Sequence, residues 1–144
     1  MIAILDYGSG NLRSAERAFA TAGKEVVVTS DPLVAVEAEG LVVPGVGAFA
    51  ACMSGLNSVN GASIVRERLA KERPTLGICI GMQILFSHGT EHADSAPHTG
   101  VGIWDGTISQ LDAPILPHMG WNTVESSSDS VSYTHLTLPT NREV

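Results

Sequence analysis

Cys79 stands in the segment Gly77-Ile78-Cys79-Ile80-Gly81-Met82-Gln83, after a short apolar run and ahead of a helical pattern. That order is a nucleophile elbow with cysteine at the reactive position, suited to covalent attack on a carbonyl. A sharp strand-to-helix turn lifts the thiol out of the sheet. Gly77 and Gly81 lack a Cβ, so strand and helix approach closely there. The thiol is expected over a helix N-terminus, whose partial positive charge suits an anion. The amide of Ile80 is positioned to donate to an oxyanion. Cys52, in Ala50-Ala51-Cys52-Met53, has no such setting and reads as a small buried hydrophobe.

A second turn, Pro44-Gly45-Val46-Gly47, follows another apolar run. Its glycines free the backbone amides to face a developing negative charge, and it forms the natural second wall of an oxyanion hole beside the elbow. Alone, such a loop is an ordinary turn. Asp6-Tyr7-Gly8-Ser9-Gly10-Asn11 is glycine-rich and precedes a helix. A glycine-rich turn ahead of a helix can hold a phosphate. This one lacks both the dinucleotide spacing and the P-loop lysine, so a turn or a partner contact is the better reading. Pro117-His118-Met119-Gly120-Trp121-Asn122 joins an aromatic, a flexible methionine and a histidine to a glycine turn. Core packing and a partner interface are equally open for that patch.

The five histidines offer no convincing base for Cys79. His88 is expected in the last turn of the elbow helix, where a contact with the helix dipole accounts for it. His92-Ala93-Asp94 imitates a base–acid spacing but lies in a polar stretch, as does His98. His118 belongs to the patch just described, and His135 lies in an atypical tail.

The elements that would position these groups alternate. Residues 2–5, 25–29, 41–43 and 75–78 read as strands, and the first, third and fourth lack polar alternation, as strands covered on both faces do. Residues 11–22 form a helix with Leu12, Ala15, Phe19 and Ala22 on one side, stopped by Gly23. Ser30-Asp31-Pro32 starts the next. Residues 63–72 form another, with Ile64, Val65 and Leu69 inward and Arg66, Arg68, Lys71 and Arg73 on its wet face. This is an α/β, flavodoxin-like parallel sheet with flanking helices and right-handed crossovers. Residues 89–100 read as a loop, and 101–111 and 121–125 as short antiparallel strands. The domain is expected over 1–125. Residues 126–144, serine-rich and then matching no element, are set apart from the fold.

Composition narrows the classes. The 144 residues suit one domain, and the 44% hydrophobic content supplies a core. A net charge of −7 without a basic stripe argues against a nucleic-acid backbone as partner. No apolar run nears the roughly 20 residues of a membrane helix. The N-terminus reads as a buried strand rather than a signal peptide, which points to the cytoplasm. Two cysteines without a secretory signal favour neither a disulfide nor a zinc site.

Together the motifs resemble the class I glutamine amidotransferases, and within them the glutaminase subunits of imidazole glycerol phosphate synthases. The resemblance runs from Met1 to about residue 125. It implies that Cys79 attacks the side-chain amide of glutamine to form a thioester. The amides of Gly45, Val46, Gly47 and Ile80 then hold the oxyanion, and Gln83 helps to seat the substrate. Ammonia would pass to a (β/α)8-barrel cyclase/synthase partner in a heterodimer and close an imidazole ring there. Asn11, Met119, Trp121 and Asn122 would lie towards that partner. No metal or cofactor is implied. The family's base and orienting acid sit in a His-x-Glu pair on a strand past the Trp121 patch. The recognisable chain is expected to stop before it, and glutamine turnover by this chain is expected to be slight. Two other readings stay open. One is a partner-binding fragment without turnover. The other is a different cysteine hydrolase, or a nucleotide binder, on the same architecture.

Overall fold

Four apolar runs assemble into one parallel sheet. In the computed structural model, which describes residues 1–117, 119–121 and 123, β1 is Ile2–Leu5, β2 Val26–Thr29, β3 Gly40–Gly45 and β4 Thr75–Cys79. Their order is β2-β1-β3-β4. Ile4 pairs with Val28 on one side and Val42 on the other, and Gly45 pairs with Cys79 where β3 and β4 end. Side chains alternate between the two faces. Ile4 and Val42 meet Ala15, Leu12 and Phe19 of α1 (Leu12–Thr21) on one face. Ala3, Leu5, Leu41 and Val43 enter the larger core on the other. That core is filled from α2 (Pro32–Glu37), α3 (Phe49–Ser58) and α4 (Gly61–Ala70).

Local signals set most helix starts. Asn11 caps α1 by accepting from the Ser14 amide at 3.2 Å. Asp31 caps α2 through the Leu33 amide at 2.8 Å, with Pro32 in the first turn. The start of α3 is different. Ala48 offers no capping side chain, and the Phe49 amide donates instead to Glu91 Oε2, 42 residues on, at 2.9 Å.

Several expectations are corrected here. Helix α3 carries no local start signal in the sequence, because its first amide is capped from a distance. In α4 Arg68, not Leu69, turns inward: Arg68 is 0% exposed and Leu69 40%. Arg68 therefore does not belong to a wet face. Its Nη1 donates to the carbonyls of Ala35, Val36 and Ala38 at 2.8–2.9 Å, and its Nη2 to those of Pro74 at 2.7 Å and Glu39 at 3.4 Å. These carbonyls lie at the end of α2 and at the entries to β3 and β4; Pro74 also accepts the Leu41 amide and Val36 the Arg73 guanidinium, and the fork of Arg68 satisfies the rest. Burial lowers the guanidinium pKa below its ordinary value. Nor is β4 covered on both faces. Among the described residues it is an edge strand, and Leu76 and Ile78, beside Val42 and Pro44 on the α1 face, are 48% and 39% exposed.

The helix after the elbow is also shorter than expected. α5 is the single turn Ile80–Gln83, after which the chain enters β5 (Phe86–Gly89), so His88 lies in a strand. β6 (His98–Thr99) runs antiparallel to β5, within the stretch read as a loop. β7 (Trp104–Ile108) was expected to be antiparallel and instead pairs parallel with β5. With β5 central in the order β6-β5-β7, the chain reverses once into β6 and again into β7. Phe86 and Trp104 fix this pairing with an edge-to-face contact, centroids 5.3 Å apart.

The chain divides into two compact units, Met1–Gln110 and Leu111–Val144. In the second, Trp121 is in no strand, and Asn122, His118 and residues 124–144 lie outside the described residues. Among the described residues no helix is long and apolar enough to cross a membrane.

Candidate active site

Cys79 ends β4 in a conformation that L residues rarely adopt, with φ 55° and ψ −121°. Such a backbone costs on the order of 1–3 kcal/mol and persists only where its surroundings impose it. Here the imposing contact is between glycines. A Cβ on Gly81 would collide with the Val43 carbonyl oxygen, and one on Gly45 with the Gly81 amide nitrogen. The turn therefore fits against β3 only as glycine on glycine, and the thiol of Cys79 is left exposed. Among the described residues the thiol makes no hydrogen bond. Ile80 and Gln83 follow within α5, a single turn and thus a small dipole.

The loop after β3 is gripped from the side of β1. The buried Tyr7 donates its hydroxyl to the Pro44 carbonyl. Burial is the main reason its phenol pKa lies above the ordinary 10.0. Ser9 Oγ lies 3.0 Å from the Val46 carbonyl and accepts from the Val46 amide, also at 3.0 Å. Cys52, 1% exposed, directs its thiol to the Val46 carbonyl at 3.3 Å and lies 3.1 Å from Ser9 Oγ. Val46 is thus occupied at both its amide and its carbonyl, while its side chain is exposed.

These contacts bring Cys79, Gly45 and Ile80 together at the carboxyl end of β3 and β4. They also show what the sequence reading missed. Tyr7 and Ser9 lie in the glycine-rich loop after β1, and the sequence around Cys52 marks it only for packing. The signal available was a loop bearing two hydroxyls at the carboxyl end of a buried strand, next in the sheet to Pro44-Gly45-Val46-Gly47.

No histidine among the described residues is hydrogen-bonded to Cys79. His92 is exposed and lies 3.9 Å from Glu91. His98 Nε2 is buried without a hydrogen-bond partner, and His88 is exposed in β5. Asn11 spends its side-chain oxygen on capping α1 and lines a cleft of about 560 Å³ with Asp6, Arg13 and Glu16. Met119 and Trp121 are 84% and 80% exposed. Among the described residues no group of three or more His, Cys, Asp and Glu side chains is arranged to hold a metal ion.

Comparison with known proteins places this geometry among relatives. The family model for class-I glutamine amidotransferases matches residues 3–143. Imidazole glycerol phosphate synthase subunit HisH of Nocardia farcinica is 58% identical over 132 residues, 92% of this chain and 62% of that protein. The subunits of the same name from Corynebacterium diphtheriae and Thermobifida fusca are each 55% identical. They align over 96% and 92% of this chain, and over 65% and 62% of their own lengths. The chain therefore spans somewhat less than two thirds of these relatives. A putative peptidase E from Listeria monocytogenes superposes with a TM-score of 0.53 at 8% identity, covering 71% of this chain and 61% of that one. At that identity the likeness concerns the fold alone.

Proposed function

The chain belongs to the class-I glutamine amidotransferases, and from that membership we propose that it is the glutamine-hydrolysing part of an imidazole glycerol phosphate synthase. The strained, exposed Cys79 beside the glycine loop of β3 carries the reading. In this mechanism the Cys79 sulfur attacks the side-chain amide carbon of glutamine. The C=O π bond opens, and negative charge gathers on the oxygen. Amides of the Gly45–Val46–Gly47 loop and of Ile80 serve that charge, the Val46 amide only once it leaves Ser9 Oγ, to which it donates in this structure, and Gln83 helps to seat the substrate. Collapse of the tetrahedral species breaks the C–N bond, and ammonia leaves with a proton. Water then cleaves the thioester to glutamate and restores the thiol. Ammonia is consumed by a cyclase/synthase barrel partner in a cytoplasmic heterodimer, with Asn11, Met119, Trp121 and Asn122 turned towards it.

A second reading is a partner-binding domain with little turnover. It is favoured by the absence, among the described residues, of any histidine bonded to Cys79. Two measurements separate these readings. A chloroketone analogue of glutamine is expected to label Cys79, and glutamine to protect it. On the second reading, glutamate release with the barrel subunit present stays at least about 10³-fold below that of a complete synthase. Labelling that ignores glutamine would sink the glutaminase reading. Turnover at the complete enzyme's rate, abolished by Cys79→Ala, would sink the second.

A further inference from the structure

We propose that Arg66 is a positioning residue of this site. Through Val101 it fixes the far end of α5, and with it the seat that Gln83 offers a substrate. The inference rests on the glutaminase reading and deepens it.

The two ends of α5 are secured by different means. At Cys79 the contact of Gly81 with β3 and Gly45 sets the turn, and Met82 still lies against Gly77 of β4. Gln83, half-buried, is the last residue of the helix and follows these contacts. A helix leaves its last carbonyls without amides of its own to accept. Here the Ile80 carbonyl accepts the Ile84 amide at 2.9 Å, and the Met82 carbonyl the Leu85 amide at 3.1 Å. To continue, the helix would need the amides of residues 88 and 89 on the carbonyls of Ile84 and Leu85.

A distant stretch takes those carbonyls instead. Ile84 accepts the Val101 amide and Leu85 the Ile103 amide, both at 2.8 Å. Further on, Phe86 accepts the Gly102 amide at 3.2 Å and Ser87 the Gly100 amide at 2.8 Å. Residues 100–103 therefore lie along residues 84–87 and turn the chain out of the helix into β5. Gly100 permits the approach, since a Cβ there would collide with the Phe86 carbonyl oxygen.

Val101 is the buried member of that stretch, 1% exposed within the main core. Its carbonyl accepts Nη2 of Arg66 at 2.6 Å. Arg66 stands on the exposed face of α4, as its spacing implies, yet this nitrogen reaches the backbone between β6 and β7. The helix that carries it is a firm base, because Arg68 ties α4 to α2 and to the strand entries. Three hydrogen bonds in series then lead from the guanidinium to the start of α5: Arg66 to Val101, Val101 to Ile84, and Ile84 to Ile80. The cationic donor strengthens the first of them.

Without the guanidinium, Val101 loses the bond on its carbonyl, and its amide holds Ile84 less firmly. The last residues of α5 gain freedom. Cys79 keeps its place, because the glycine contact that sets it does not involve Arg66. Gln83 does not, and a seat that must be ordered as the substrate arrives binds more weakly than one already in place.

Iodoacetamide and glutamine together separate the thiol from the seat. Iodoacetamide alkylates the Cys79 sulfur: the S–C bond forms as the C–I bond breaks, and the thiol proton passes to solvent. Its rate, with the adduct located by mass spectrometry, reports the thiol alone. The glutamine concentration that halves the rate reports the seat. Arg66→Met is expected to need about threefold to tenfold more glutamine, the change expected from one hydrogen bond of ordinary net strength. Arg66→Lys, whose ammonium can donate to the same carbonyl, is expected to fall between that variant and the wild type. The rate without glutamine is expected to be equal in all three proteins. Equal protection in the wild type and Arg66→Met overturns the positioning role and leaves the glutaminase reading standing. A rate without glutamine that falls in Arg66→Met also overturns it, since the residue would then support the elbow as a whole. A wild type that glutamine does not protect overturns both readings. Amide hydrogen exchange on the wild type is a check independent of any variant. Coupling between two sites is reciprocal, so glutamine is expected to slow exchange at the Val101 amide. Exchange there that ignores glutamine, in protein whose Cys79 glutamine protects, overturns the positioning role.

Discussion

The two ends of the parallel sheet are both tied by side chains that bond to backbone carbonyls, but the ties differ in kind. At the amino end one buried cation, Arg68, gathers the carbonyls of Ala35, Val36, Ala38, Glu39 and Pro74. The turn into β4 there carries one left-handed residue, Glu72 at φ 53°. At the carboxyl end three neutral groups, from Tyr7, Ser9 and Cys52, hold only Pro44 and Val46. Beside them Cys79 keeps a positive φ. Charge-assisted bonds are roughly twice as strong as neutral ones. The amino end is thus built for cohesion. The carboxyl end gives some cohesion up and leaves a thiol exposed, in line with the general siting of function in parallel sheets.

The largest effect expected from this contrast is at Arg68. Replacing it as Arg68→Met leaves buried carbonyls without donors, and the loss in urea unfolding should be about 3–5 kcal/mol. Arg68→Lys keeps the charge but not the fork, and should lose less. Alkylation of Cys79 in the folded fraction of either variant should match the wild type. A loss under about 1 kcal/mol for Arg68→Met would mean that cohesion lies elsewhere.

At the other end the sign should reverse. Cys79→Gly removes the reactive group and lets the backbone take φ 55° without strain. A gain of about 1 kcal/mol is expected, the strain relieved less the extra entropy of an unfolded glycine. A measured destabilisation would show that the elbow conformation is unstrained in its surroundings.

The smallest effect concerns pH. The Lys71 ammonium, bonded to Glu37, holds that carboxyl below its ordinary 4.5, with Arg73 adding to the shift. The Met1 ammonium does the same to Glu39. Both carboxyls are depressed in the folded state, so the stability they give is fully present above about pH 4.5, the unfolded value. It is lost as pH falls through the lower folded values. Urea midpoints measured from pH 6 to pH 3 should decline less steeply in a Glu37→Gln, Glu39→Gln double variant than in the wild type. An unchanged slope would assign the decline to other carboxylates.

How far this was legible in the sequence depended on whether the cause was local. β1, β2, α1 and α2 lie close to their expected bounds, because apolar runs and capping residues are adjacent in the chain. The elbow around Cys79 was legible for the same reason, its glycines being two residues away on either side. The start of α3 was not, since its cap comes from Glu91. The inward turn of Arg68 was not, since the carbonyls it serves belong to α2 and the strand entries. The hold of Ser9 and Cys52 on Val46 required the register between β1 and β3, which no stretch of the chain carries by itself.

The edge position of β4 has a consequence for how such a site is completed. Adjacent strands in a sheet lie about 4.8 Å apart. Cys79 is the last residue of β4, and among the described residues its strand has a neighbour in the parallel sheet on one side only. Any strand that adds in parallel along the other side brings its own carboxyl end to rest beside the thiol. It also covers the exposed Leu76 and Ile78 with whatever crossover it carries. Extending the sheet and walling in the exposed thiol would then be one assembly step.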